Sequence, residues 1–368
     1  MHIVFSNYDS PDNPWYNGGG AKAIHEFARR LTTRHQVTVI TGAYPGSADI
    51  VSDGVKYHRI GSAFLGPKAG QLLFQALLPW QVKTTPHDVW VESMTPPFST
   101  ACLQWFTPMP VIALTQVLSG QAMAQRYHLP FDRAERAGLS TYRHAIALNP
   151  HLASYIQRAS PKANIAVIPN GIEQSAIDCI PPAEPPAHVL FLGRIDIHQK
   201  GLDLLLDAWP EAHSAFNLPL LLAGAGTPAD EATLRQRLAA PNLASIASWC
   251  GRVVGDAKAA AFAKAALFVM PSRYEASPLT LLEAFCHAKP VIIFGIDELA
   301  WVPDTACLKV KPFDTRQLAE AVRTLANDPA RARSLGLAGK AFARNFSWES
   351  IAARYEEFIV KAGQLHKA

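Results

Sequence analysis

Short apolar runs alternate with longer stretches of helical periodicity along all 368 residues, and this alternation limits the folds open to the chain. HQVTVITG (35–42), PVIALTQ (110–116), NIAVIPNG (164–171), HVLFLGR (188–194), LPLLLAG (218–224), ALFVMPS (266–272) and KPVIIFG (289–295) read as strands, and the opening MHIVFSNY is strand-like. Their Val, Ile and Leu residues run consecutively rather than on alternate positions. Such strands are buried on both faces, as in a parallel sheet covered by helices. Between them lie patterns such as 21–34, where Ala23, Ile24, Phe27, Ala28 and Leu31 form one apolar stripe of a helix. The fold class is α/β with doubly wound parallel sheets.

The length suggests two domains, and 49% hydrophobic residues supply enough material for two cores. CIPPAEPPAH (179–188) has four prolines in ten residues and reads as a stiff linker. The expected organisation is an N-terminal domain over 1–178, a linker over 179–187, a second domain over 188–345 and a final helix over 346–368 packing back toward the N-terminal half. Ser347 is placed to cap that helix, but Ser350 stands where a capping box needs an acid or amide. A net charge of +4 suits an anionic small ligand or an acidic lipid surface and falls short of a nucleic-acid signature. Five scattered cysteines without a CxxC pair point to reduced thiols rather than disulfides or zinc. No signal peptide or ~20-residue apolar window is visible, so the expected location is the cytoplasm, with a peripheral membrane contact left open.

Four segments carry chemistry. Gly18, Gly19 and Gly20 stand between the first strand and the first long helix, where backbone can approach an anion; a plain flexible turn explains them equally. Arg29, Arg30 and Arg34 read as a solvated helix face. Arg194 and Lys200 follow a strand ending at Gly193, the edge at which doubly wound sheets bind ligands, and their charges suit a diphosphate, although an Arg and a Lys on a loop are by themselves ordinarily solvated. Gly224, Gly226 and Ala229 form a G-x-G-x-x-A run, but the next strand, SIASWCGRV (245–253), lacks the acid that a dinucleotide site needs. Finally RYEASPLTLLEAF (273–285) sets Glu275 on a loop and Glu283 in the first turns of a helix opening near Pro278, with free N–H groups expected at Leu279 and Thr280. Read locally, each acid is either a sugar or ribose acceptor or an ordinary loop or first-turn acid.

Taken in order, the GGG before a helix, VIPNGIE (167–173), FLGR followed by KG (191–201), LLLAGAG, E-x7-E from Glu275 to Glu283 with AFCHAKPVI after it, and the closing FSWESIA resemble a retaining glycosyltransferase of family 4 over nearly the whole chain. That resemblance implies the GT-B fold, two Rossmann-like domains facing a cleft, and a nucleotide-sugar donor. It implies that Arg194 and Lys200 neutralise the leaving diphosphate and that Glu283 binds the ribose, with Glu275 at the transferred sugar or its phosphate. Gly193, Ser277 and the amides of Leu279 and Thr280 would join the donor site, Gly251–Val253 would line the base, and Gly18–Gly20 would close over the phosphates. No D-x-D occurs, so neither a metal nor another cofactor is expected.

Two segments depart from the family pattern. Gln116 stands where members often carry a histidine that touches the sugar, with Asn17 a further acceptor-side contact, and Ala276, Ser277 and Pro278 replace the usual glycines. The expected acceptor is a glycan or a lipid-linked hydroxyl in envelope polysaccharide or glycolipid synthesis. KAGQLLFQALLPWQVK (68–83) is either a membrane-surface segment or a core helix with exposed ends, and LQWFTPMP (103–110) is expected to be buried. A sugar-nucleotide epimerase of the same fold and a catalytically silent nucleotide-sugar-binding protein are the competing readings.

Overall fold

The computed structural model describes every residue except 16–18, 95–97, 117, 119, 180–184, 215–216 and 368. It divides into two compact units, Met1–Gly171 with Trp348–Ala368, and Ile172–Ser347.

The first unit holds strands β1 (His2–Ser6), β2 (Gln36–Gly42), β3 (Ile50–Ser52), β4 (Val55–Ile60), β5 (Val89–Ser93), β6 (Val111–Thr115), β7 (His144–Ala147) and β8 (Asn164–Val167). They form one sheet in the order β3-β4-β2-β1-β5-β6-β7-β8, parallel except for the antiparallel β3–β4 pair at one edge. The second unit holds β9 (His188–Leu192), β10 (Leu220–Ala223), β11 (Ala247–Trp249), β12 (Ala265–Met270), β13 (Val291–Phe294) and β14 (Leu308–Val310). Its order, β11-β10-β9-β12-β13-β14, is all parallel. The direction of winding therefore reverses between β9 and β12, and the crevice at the carboxyl ends of those two strands is where open α/β sheets take ligands.

The consecutive apolar pattern does mean burial on both faces. Every residue of β5, β6, β9 and β13 is buried, and the core of the second unit runs from Val189 through Phe268, Leu282 and Ile293. Strands β3, β4, β5, β7 and β14 were not singled out in the sequence. β3 and β14 have three residues each, β4 carries Lys56, His58 and Arg59, and β5 and β7 are short segments holding Glu92 and His144, so each lacks the long apolar run that marks the others.

The unit boundary lies earlier than the proline-rich segment. The Ile172 N–H donates to the Phe346 carbonyl at 2.7 Å, Ile172 bridges Ser347, and Ile177 is buried in the core of the second unit. The helix Gln174–Asp178 thus belongs to the second unit, not to a domain over 1–178. The last helix, Trp348–Lys367, starts just after Ser347 and packs in the first unit. Tyr355 stacks on Phe27 with centroids 4.1 Å apart, and Arg30 reaches Glu349 at 2.7 Å. Arg30 is therefore a buried tie between helices rather than part of a solvated face, whereas Arg34 keeps its side chain largely in solvent. Among the described residues no helix is long and apolar enough to cross a membrane.

Candidate functional site

Both cations and both acids singled out in the sequence follow β9 and β12, the two strands flanking the reversal of winding in the second unit. β9 ends at Leu192, Gly193 follows, and the chain turns through 196–201 before the helix Leu202–His213. Three internal bonds fix this turn: Gln199 N–H to the Asp196 carboxylate at 2.8 Å, Lys200 N–H to the Asp196 carbonyl at 3.1 Å, and Gly201 N–H to the His198 carbonyl at 3.1 Å. Gly201 has φ +63°, and a Cβ there would stand 1.9 Å from the Pro271 carbonyl oxygen. Glycine is required because the turn after β9 touches the backbone that leaves β12.

The two loops are stitched together. The Arg273 N–H donates to the Gln199 carbonyl at 2.8 Å, and its guanidinium donates to the His198 carbonyl at 2.6 Å. The same guanidinium forks onto both oxygens of Asp203 at 2.8 and 2.7 Å. Burial works to raise the Asp203 pKa, but the Arg273 bonds and charge outweigh it and hold the carboxyl below its ordinary value.

Across this junction the Lys200 ammonium meets Glu275 Oε1 at 2.5 Å, and the Ser272 hydroxyl donates to the same oxygen at 2.7 Å. Both ionic side chains are largely buried, so each depends on the other for its charge to be tolerated. Arg194 stands differently. Its side chain is 60% exposed, donates to Gln199 and lies 3.6 Å from Asp196. It is an exposed guanidinium on the same turn from which Lys200 reaches inward to Glu275.

The helix Leu279–Cys286 opens at Pro278 with no side-chain cap. The N–H groups of Leu279 and Thr280 are the first two of this helix and have no intrahelical acceptor, so that end favours an anion. Ser277 is buried at the same turn. On the helix, Glu283 accepts from Lys258 at 2.7 Å, with the lysine coming from the helix Gly255–Ala263. Lys258, Ser272, Arg273 and Asp203 were not picked out in the sequence. Lys258 lies 25 residues from Glu283 on another element, and only the strand order brings the two together.

The glycines of LLLAGAG serve packing. A Cβ on Gly224 would stand 1.7 Å from the Gly193 carbonyl oxygen, and one on Gly226 2.0 Å from that of Ile195. These contacts explain a G-x-G run without a dinucleotide. Gly193 N–H donates to the Ala223 carbonyl at 3.0 Å, and Gly224 N–H to the Gly251 carbonyl at 2.7 Å. Gly251 itself has φ +76° and open space around its Cα, and Val253 is half-buried against the core.

The remaining expected residues lie in the first unit. Gly19 and Gly20 begin the helix Gly19–Leu31. A Cβ on Gly20 would stand 3.4 Å from the Gln116 amide, whose buried Nε2 has no hydrogen-bond partner among the described residues. Asn17 and Gly18 lie outside the described residues. This unit also buries Glu92, which accepts from the Ala101 N–H at 2.5 Å and from the Tyr142 hydroxyl; burial outweighs these bonds and pushes its pKa up to about 7.

Comparison with known proteins bears on the family and the fold. The family model "Glycosyltransferase Family 4" matches residues 17–175, and "Glycosyl transferases group 1" matches 186–328. A phosphatidyl-myo-inositol mannosyltransferase of Mycobacterium leprae is 32% identical over 196 residues, 51% of this chain and 51% of that protein; the chain spans about half the length of the curated relatives it matches. Among solved structures, a sucrose-phosphate synthase from Thermosynechococcus elongatus superposes with TM-score 0.84 at 20% identity over 98% of both chains. Anabaena HepE with UDP and glucose bound gives TM-score 0.74 at 15% identity over 96% of this chain and 98% of that one. The fold is GT-B, built from two Rossmann-like units. With the two family models lying end to end along it and E-x7-E set at the switch point of its second sheet, this chain belongs to glycosyltransferase family 4.

Proposed function

We propose that the protein is a retaining glycosyltransferase. It moves a hexose from a UDP- or GDP-linked donor to a hydroxyl of a glycan or lipid-linked acceptor, in bacterial cell-envelope polysaccharide or glycolipid synthesis on the cytoplasmic side. The observation that carries this reading is the pairing of Lys200 with Glu275 at 2.5 Å beside the uncapped start of the helix Leu279–Cys286, with Arg194 open to solvent above them.

In this reading the donor diphosphate lies between the Arg194 guanidinium, the Lys200 ammonium and the Leu279 and Thr280 amides. The bond from the anomeric carbon to the diphosphate oxygen breaks, and the acceptor oxygen bonds to the same face of that carbon. The acceptor proton passes to the departing phosphate oxygen. What the protein must stabilise is charge growing on that oxygen, and preformed cations and helix-end amides do this without reorganising. The residues above account for that charge without a metal or other cofactor. Lys200 bound to Glu275 in the free protein keeps an ammonium fixed near the diphosphate rather than swinging in solvent. Glu283, held by Lys258, presents its second oxygen to the ribose hydroxyls, and Glu275 faces the transferred sugar. HepE, of the same fold, is described with UDP and glucose, and the mycobacterial relative by its name is a mannosyltransferase acting on a phosphoinositide, which supports a nucleotide donor and a lipid-linked acceptor here.

The test is a thermal-shift series with UDP, GDP, ADP and their sugars on the full chain. A uridine or guanosine diphosphate should raise Tm in step with its concentration. No shift with any of them would refute a nucleotide-sugar enzyme, and a shift together with donor conversion in the absence of any acceptor would indicate an epimerase instead.

A further inference from the structure

The helix Gly66–Thr84 in the first unit has two unlike faces. Gly70, Phe74, Leu78 and Val82 are buried and make the inner face. Leu65 at the N-cap, Lys68, Ala69, Leu72, Ala76, Trp80 and Lys83 are exposed, and at 100° per residue all fall within about 60° of one line along the opposite side. The outward face of this helix is thus apolar through most of its length and ends in a lysine at either side, about 22 Å apart at 1.5 Å per residue. Phe64, just before the helix, is 95% exposed, and Trp80 is 60% exposed.

Charge defines what such a face meets. Between Asp53 and Asp88 the chain has no Asp or Glu, while it carries Lys56, Lys68 and Lys83; the Arg59 side chain in the same stretch is buried and neutralised by Asp12. Lys83 lies over the Phe106 ring at 5.3 Å, next to Trp105, which is 69% exposed. Two cavities of about 330 and 530 Å³ at the C-terminal end of the helix are lined in part by Lys83 and His87 and by Lys56 and His58; His58 of the second is paired with Asp49 at 2.7 Å, so the lysines carry the unpaired charge there. A protein partner with an apolar patch would satisfy the leucines and aromatics but leave the uncompensated lysines without purpose. A sheet of anionic headgroups over acyl chains satisfies both at once.

We infer that the face made by Phe64, Leu65, Leu72 and Trp80, flanked by Lys68 and Lys83, seats the protein on an anionic lipid bilayer surface. This deepens the proposed function by naming where a lipid-linked acceptor is met, and to that extent it rests on that reading. The aromatic and leucine side chains enter the headgroup boundary, and the two ammonium groups pair with lipid phosphates. The helix lies in the plane of the surface and does not span it.

The experiment is co-sedimentation of the full chain with vesicles of phosphatidylcholine alone and of phosphatidylcholine mixed with phosphatidylglycerol. The wild type should sediment with the anionic vesicles, far less with the neutral ones, and less as salt is raised. Leu72→Glu with Trp80→Glu should reduce binding at least tenfold with little loss of Tm, because Leu72 is 46% and Trp80 60% exposed. Lys68→Gln and Lys83→Gln should each weaken it about five-fold. Wild type that stays in the supernatant, or a Leu72→Glu/Trp80→Glu variant that binds as well as wild type, overturns the inference. So does a wild type that elutes as a dimer which that variant dissociates, since the face then belongs to a second copy. Thermal shift by the nucleotide is read on the same samples. Vesicle binding without a nucleotide shift sinks the donor reading alone, and a nucleotide shift without vesicle binding sinks the membrane surface alone.

Discussion

At the residue scale, the decisive pair is Lys200 and Glu275. Neither is remarkable by type or local neighbourhood, and an Arg and a Lys on a loop are ordinarily solvated. Burial changes their meaning: the carboxylate keeps only a few per cent of its surface and accepts from both Lys200 and Ser272. Removing one partner strands the other, which costs roughly 3 kcal/mol in comparable buried pairs. Lys200→Ala is therefore expected to abolish transfer and also to lower Tm. The double variant Lys200→Met/Glu275→Gln should recover most of the lost Tm while remaining inactive. Recovery of transfer in the double variant would show that the pair is structural only. Glu283 is the second case. Its role was ambiguous between first-turn acid and ribose acceptor, and its bond to Lys258 shows it oriented by a neighbour rather than free in solvent.

At the scale of elements, the site depends on how the turn after β9 meets the loop after β12. Gly201 permits that meeting, because its φ is +63° and no side chain fits against the Pro271 carbonyl. Gly201→Ala should cost upward of about 2 kcal/mol, from strained backbone and displaced loop together. Since Lys200 precedes it, transfer should fall more steeply than Tm, with kcat lost at a temperature where circular dichroism still reports a folded chain. Full activity in Gly201→Ala would mean that the two loops need not touch. Sequence reading placed every interior strand of the second sheet, and β1, β2 and β6 of the first, because consecutive apolar residues mark burial on both faces. It passed over the three-residue β3, β4 with its Lys56 and Arg59, and the short buried β5 and β7, and it expected Trp105 to be buried when that ring is largely in water.

At the scale of the whole molecule, the residues proposed to hold the donor, Arg194, Lys200, Glu275, Glu283 and Lys258, all belong to the single unit Ile172–Ser347. This unit has its own parallel sheet and its own core. Expressed alone, residues 172–347 should fold and bind the nucleotide within about tenfold of the full chain, yet transfer no sugar. Calorimetric titration with the nucleotide that shifts the full chain checks this, and a folded fragment with no heat of binding would remove the donor site from this unit. The last helix behaves oppositely: although it follows the second unit in sequence, its Tyr355 and Glu349 complete the first.

The sequence by itself determined the α/β class, most of the central strands, and the family to which the ordered motifs belong. These depend on periodicity and on residue types at short spacing, which a linear chain displays directly. It left open what Glu275 and Glu283 do, where the unit boundary lies, and which cations serve the site. Lys200 is 75 residues from Glu275, and Lys258 is 25 from Glu283. Such distances are closed only when the winding of the sheet reverses between β9 and β12 and brings their carboxyl ends side by side. Tertiary structure also decided that Ile172 already pairs with the second unit, a contact with Phe346 and Ser347 that no local pattern around the prolines could reveal.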